Sequence, residues 1–82
     1  MNKIIVTLKE RRNLFSYDVE LPLNIKVEQL KYHIVETIQA LDTNVFEGTV
    51  KYSLFCERLG RTLVDDETLE EAGVWNGDYL LI

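Results

Sequence analysis

One cysteine, one proline and one histidine are all that this 82-residue chain contains of those three types. Cys56 alone cannot close an internal disulfide, and a single thiol does not make a metal site. Its apolar neighbours read it as a small buried hydrophobe. His33 sits beside the apolar stripe of a helix and reads as a solvated or edge residue rather than a general base. With so little proline and 46% hydrophobic residues, disorder is a poor description. No apolar run approaches the roughly 18 residues of a membrane span. The start, Met1-Asn2-Lys3-Ile4-Ile5-Val6-Thr7, is too short and too soon polar for a signal peptide. Basic clusters are missing too. Nine Lys and Arg face 14 Asp and Glu, and Arg11-Arg12 is the only adjacent pair. Counterion release from nucleic acid needs clustered cations, so nucleic acid is not an expected partner. What remains is an acidic, soluble, cytoplasmic domain with net charge −5 and no cofactor. At this length it is one domain, residues 1–82, with one core.

Ile4, Val6 and Leu8 alternate with Lys3, Ile5, Thr7 and Lys9, the period of a half-buried strand. Glu10-Arg11-Arg12-Asn13 is a polar turn. Beyond it Phe15, Tyr17, Val19 and Leu21 alternate with Ser16, Asp18 and Glu20, completing an antiparallel hairpin that Pro22 should end. Val27, Leu30, Ile34, Ile38 and Leu41 then step by 3, 4, 4 and 3, widened by Val35, which is a helix buried on one face. Its start is weakly marked: Asn24 is the best cap by type, but the pattern begins near Lys26. Asp42-Thr43-Asn44 breaks the helix. A third strand follows from Val50, with Tyr52, Leu54 and Cys56 opposite Lys51, Ser53, Phe55 and Glu57.

The last third is motif-rich. Glu57–Gly60 turns into a short strand, Thr62-Leu63-Val64. Thr68 and Glu71 have capping-box spacing, and Gly73 is placed to end that single turn in a left-handed conformation. Asn76-Gly77 signals a tight turn before a final strand, Tyr79–Ile82. Hairpin, helix, two strands, helical turn and strand is the order of an α+β fold with a mixed sheet of four to five strands on one helix. A right-handed crossover would bring the last strand beside the first.

The stretch from Leu63 to Asp78 resembles the pattern of ubiquitin-like β-grasp domains, with Leu63, Leu69 and Val74 as core residues and Thr68 as a cap. The whole chain is similar to the small YukD/EsaB family found beside type VII secretion systems of Gram-positive bacteria. It shares their length, acidic character, Gly73–Asp78 segment and an apolar final strand without Gly-Gly. The resemblance implies a cytoplasmic accessory or regulatory protein of bacterial type VII protein transport. It implies a membrane or cytoplasmic component of the secretion machine as partner, and no conjugation. Alternatives are a ubiquitin-like modifier or carrier whose tail is missing, or a scaffold domain of a larger protein.

The residues support no enzyme class. Asp65-Asp66-Glu67 and Glu70-Glu71 read as a solvated acidic turn favouring the start of the short helix, and Asp78 as a turn residue. The outward sheet face is more informative. If Ile4, Val6, Leu8, Tyr52, Leu54, Cys56, Leu80 and Ile82 face the helix, then Ile5, Phe55, Tyr79 and Leu81 face out. Strand order would gather these four into one apolar patch, a protein-interaction surface. Lys51, Arg58 and Arg61 are expected as its polar rim. Trp75 would either cover the core edge or extend the patch, and a weak homodimer is a possible use of the face.

Overall fold

A computed structural model describes residues 2–10, 15–41 and 52–82. The element order is β1 (Lys3–Lys9), β2 (Ser16–Pro22), α1 (Val27–Leu41), β3 (Phe55–Cys56), β4 (Arg61–Thr62), α2 (Leu69–Ala72) and β5 (Tyr79–Leu81). The strands form one mixed sheet in the order β2-β1-β5-β3-β4, with β5 parallel to β1 and every other pair antiparallel. β5 lies centrally between β1 and β3, with Leu80 fully buried on the core face.

Ile4, Val6, Leu8, Val19 and Leu21 from the hairpin meet Val27, Leu30, Ile34 and Ile38 of α1 and Leu54, Cys56, Leu63, Leu69, Val74 and Leu80 in one cluster. Tyr52 and Ile82 are partly buried against it. The helix face is the expected one except at its end. Leu41 is 58% exposed, although its angular position is right. The helix overruns the cluster, whose last α1 member is Ile38.

Proline sits where it costs nothing. Pro22 opposes Lys3 in the β1–β2 register, and Leu23 N–H donates to Asn2 O at 2.8 Å one step further on. The bonded pairs of an antiparallel ladder alternate, so Pro22 occupies a non-bonded position on an edge strand, and the ladder runs one bond past it. The polar turn at residues 11–14 and the segment 42–51, including Val50 and Lys51, lie outside the described residues. Among the described residues β3 is shorter than expected. Leu63 N–H still bonds Leu54 O at 2.8 Å, but the chain after Val64 leaves the sheet. Asp65 O instead accepts from Glu28 N–H at 3.1 Å, so β3 has no β4 partner further on.

That departure explains the weak helix start. Val27 N–H donates to Glu67 O at 2.8 Å, and Glu28 N–H to Asp65 O. Two of the orphan donors of the first turn are therefore satisfied by backbone 40 and 37 residues downstream, next to the bridge between Lys26 and Thr68. No local cap is needed, and Asn24 is simply exposed. The second helix is capped as its sequence indicates. Glu71 N–H donates to Thr68 Oγ1 at 3.0 Å, and Thr68 N–H to Glu71 Oε1 at 2.9 Å. Gly73, at φ 83°, ends the turn.

Candidate protein-interaction surface

Period-two alternation puts the expected four residues on the sheet face opposite the core, with Ile5 at the far end from the Phe55–Leu81 pair. Phe55 and Leu81 are direct cross-strand partners of β3 and β5 and are both half-buried. Lys9 flanks Leu81 on the other side. Tyr79, 46% exposed, lies beside Thr7, with the Lys9 ammonium 4.9 Å from its ring centre. Ile5, 50% exposed, opposes Glu20. It stands four residues along β1 from the position paired with Leu81, about 13 Å away at strand rise. The face therefore reads as an aromatic–aliphatic pair at one end and Tyr79 in the middle. Ile5 sits beside a shallow open depression of about 620 Å³, lined also by Lys3, Glu20 and Asn76. Ile5 is held rigidly: its N–H donates to Asn76 Oδ1 at 2.8 Å and its carbonyl accepts from Gly77 N–H at 2.7 Å. That bond needs the Asn76-Gly77 turn, where φ is 91° at the glycine.

Arg58 is not a loose rim charge. Its Nε donates to both oxygens of Asp78, at 2.9 and 3.1 Å, and another guanidinium nitrogen donates to Gly73 O. The guanidinium carbon lies 3.7 Å from the centre of the Trp75 ring, a cation–π stack. Trp75 is 63% exposed and neither fills the core nor stands alone. Arg61 is likewise occupied, by Glu67 at 2.8 and 2.9 Å.

Asp78, expected as a turn residue, is instead a buried charge, 7% exposed. It also accepts from Trp75 N–H at 2.8 Å and lies 3.8 Å from Cys56 Sγ. Burial pushes this carboxyl upward. The bonds from Arg58 and Trp75, with the Arg58 charge and the Cys56 thiol, outweigh burial and hold it below the usual carboxylate range. Nothing in the local sequence distinguishes this aspartate from a turn residue. The signal lay in pairing it with Arg58 across the β3–β5 register.

The acidic turn is structural in a second sense. Asp65 pairs with Lys31 at 2.8 Å and Asp66 with Lys26 at 2.9 Å, while Glu67 pairs with Arg61 and accepts from Val64 N–H at 2.7 Å. Hydrogen bonds from Arg61 lower the Glu67 carboxyl against the opposing effect of burial. These carboxylates serve the start of α1 and the edge of β4 as well as the short helix. His33 is exposed.

The same fold recurs in proteins of low sequence identity. A chain of the MycP5-free ESX-5 inner membrane complex superposes with a TM-score of 0.75 at 17% identity, covering 99% of this chain and 20% of that one. The EccD5 ubiquitin-like domain from Mycobacterium xenopi gives 0.73 at 15% identity, covering 99% and 92%. The UBL domain of Plasmodium falciparum Dsk2 gives 0.67 at 23% identity, covering 96% of each. No curated protein sequence matches the chain. The family model described as WXG100 protein secretion system (Wss), protein YukD, matches residues 3–82. The chain is thus a ubiquitin-like β-grasp domain, and it belongs to the YukD family linked to type VII secretion.

Proposed function

We propose that this protein is a non-catalytic recognition module, an accessory or regulatory part of a type VII secretion machine. It works on the cytoplasmic side and docks a protein component of the machine through the outer sheet face. One observation carries the reading: Phe55 and Leu81 lie side by side on the face opposite the core, next to exposed Tyr79. A module selected for solubility alone would place Lys, Glu or Thr at such positions, and interfaces centre on aromatic and aliphatic anchors with charge at the rim. Lys9 supplies that charge here. The presence of a chain with this fold in an inner membrane complex of the ESX-5 system supports a membrane-associated component as the partner.

The reading also takes the domain as unconjugated. Ile82 N–H donates to Lys9 O at 2.9 Å and its side chain is partly buried against the core. This hold on the backbone at the end of β5 supports that reading. The intact mass of the protein purified from its host, without higher-mass adducts, is the expected result.

Phe55→Lys is the direct test. The variant is expected to keep its melting temperature within a few degrees, to lose cross-linking to machine components, and to abolish type VII secretion. Tyr32→Lys on the far face of α1, where Tyr32 is 59% exposed, should leave secretion intact. A folded Phe55→Lys protein that supports normal secretion would move the docking site elsewhere.

A further inference from the structure

The two edges of the sheet differ. At the β4 edge the outward backbone groups belong to Thr62 and Val64, because Leu63 bonds Leu54 across the ladder. A side chain engages one outward group of each. Val64 N–H donates to Glu67 Oε2 at 2.7 Å, and Thr62 O accepts from Arg61 at 3.3 Å. Such blocking is how sheets avoid unwanted pairing.

The β2 edge has no such closure. The bonds Glu10 N–H to Phe15 O at 3.2 Å and Leu23 N–H to Asn2 O bracket the β1–β2 ladder. Alternation between them assigns the exchanged bonds to Tyr17, Val19 and Leu21, opposite Leu8, Val6 and Ile4. The N–H and C=O groups of Ser16, Asp18 and Glu20 therefore point away from the sheet, joined by the Pro22 carbonyl. All three residues are exposed, and among the described residues nothing meets these groups.

We infer that the β2 edge accepts an extended, basic segment of a partner protein as an added strand, distinct from docking on the outer face. Main-chain bonds would give the affinity of such strand addition, and alternate side chains its specificity. Charge selects the occupant. Asp18 and Glu20 project on the outer face beside the position of the incoming strand. Asp18 also accepts from Thr7 Oγ1 at 2.6 Å, and Glu20 stands 3.6 Å from Lys3. The Glu20 side chain stays 60% exposed and open to a second cation. Lys or Arg at alternate positions of an added strand would face these carboxylates, and opposite charges across a pair are favourable.

A second copy of this chain is the wrong occupant. Antiparallel self-pairing through the free groups sets even-numbered residues opposite one another. Every register that overlaps both carboxylates then puts Asp18 against Asp18, Asp18 against Glu20, or Glu20 against Glu20. Like charges directly opposite destabilise, so the edge discourages self-association while remaining open to a basic strand.

The test uses the full chain and a heptapeptide alternating lysine and valine, followed by amide hydrogen exchange. At millimolar peptide the Ser16, Asp18 and Glu20 amides should exchange at least about tenfold more slowly, and a glutamate–valine peptide should protect none of them. Glu20→Pro removes one outward donor without touching a β1 bond. It should weaken peptide binding while leaving the melting temperature near the parent value. Asp18→Lys combined with Glu20→Lys should reverse the preference between the two peptides. Absence of protection by the lysine peptide, or equal protection by both, overturns the inference. Protection that rises with protein concentration alone overturns it in favour of a second copy.

Discussion

Removing the Asp78 carboxylate disconnects three segments at once. It accepts from Arg58 in the turn after β3 and from Trp75 N–H before β5, and it contacts the Cys56 thiol beneath them. In Asp78→Ala the part-buried Trp75 N–H has no acceptor, and a buried donor left unmade costs about 1–3 kcal/mol. Arg58, with a side chain 32% exposed, regains water and adds little. The expected loss is therefore about 1–3 kcal/mol, a large fraction of the stability of a domain this small. Asp78→Asn keeps one acceptor and should fall in the lower half of that range.

The pH dependence is the sharper readout. The Asp78 carboxyl is held below its ordinary value of 3.8 in the folded state. Its contribution is thus fully present above that value and is lost as pH falls through the depressed folded value. Glu67, lowered from 4.5, acts in the same direction. The parent should lose stability below about pH 4, and Asp78→Asn should show a shallower acid limb because one of the two groups no longer titrates. Urea unfolding at neutral and acid pH measures both effects, read by circular dichroism and by the fluorescence of Trp75, the only tryptophan. An unchanged midpoint for Asp78→Ala at neutral pH, or an acid limb for Asp78→Asn parallel to the parent's, would refute the reasoning.

Leu30 is fully buried between α1 and the sheet, so Leu30→Ala should cost about 2–5 kcal/mol in the same unfolding assay. Little change would mean that the core collapses around the site. Thr68→Ala removes the acceptor for Glu71 N–H and should cost about 1 kcal/mol. Thr68→Ser, which keeps the hydroxyl, should restore most of that loss.

Period-two and period-3.6 patterns made the strands and the helix face legible in the sequence, because each depends on burial along a single segment, while the sheet order followed from the element order and a right-handed crossover. The Thr68–Glu71 box and the glycines at 73 and 77 were legible for the same reason, since local backbone geometry demands those residue types. The start of α1 was not. Its donors are met by Glu67 O and Asp65 O, carbonyls that any residue could supply, so no side chain records the contact. The exposure of Leu41 was hidden by a correct periodicity, which fixes a side chain's angle but not where the sheet beneath it ends. Arg58 read as a rim charge and Asp78 as a turn residue because they are 20 residues apart and meet only through the antiparallel register of β3 and β5.

Those long-range polar contacts also bear on function. Lys26, Lys31, Arg58 and Arg61 each hold an acidic partner, and each of these pairs fixes a loop or a helix start at the ends of the sheet. Among the described residues few exposed cations are left to act as a general electrostatic surface, and the net charge of −5 repels polyanions. Recognition then falls to groups on two other surfaces. On the outer face these are Ile5, Tyr79 and the Phe55–Leu81 pair, and on the β2 edge the outward amides of Ser16, Asp18 and Glu20. The two surfaces call for different chemistry, apolar anchors in one case and a basic strand in the other. Phe55→Lys and Glu20→Pro should therefore impair different contacts, and a variant carrying both should lose more than either alone.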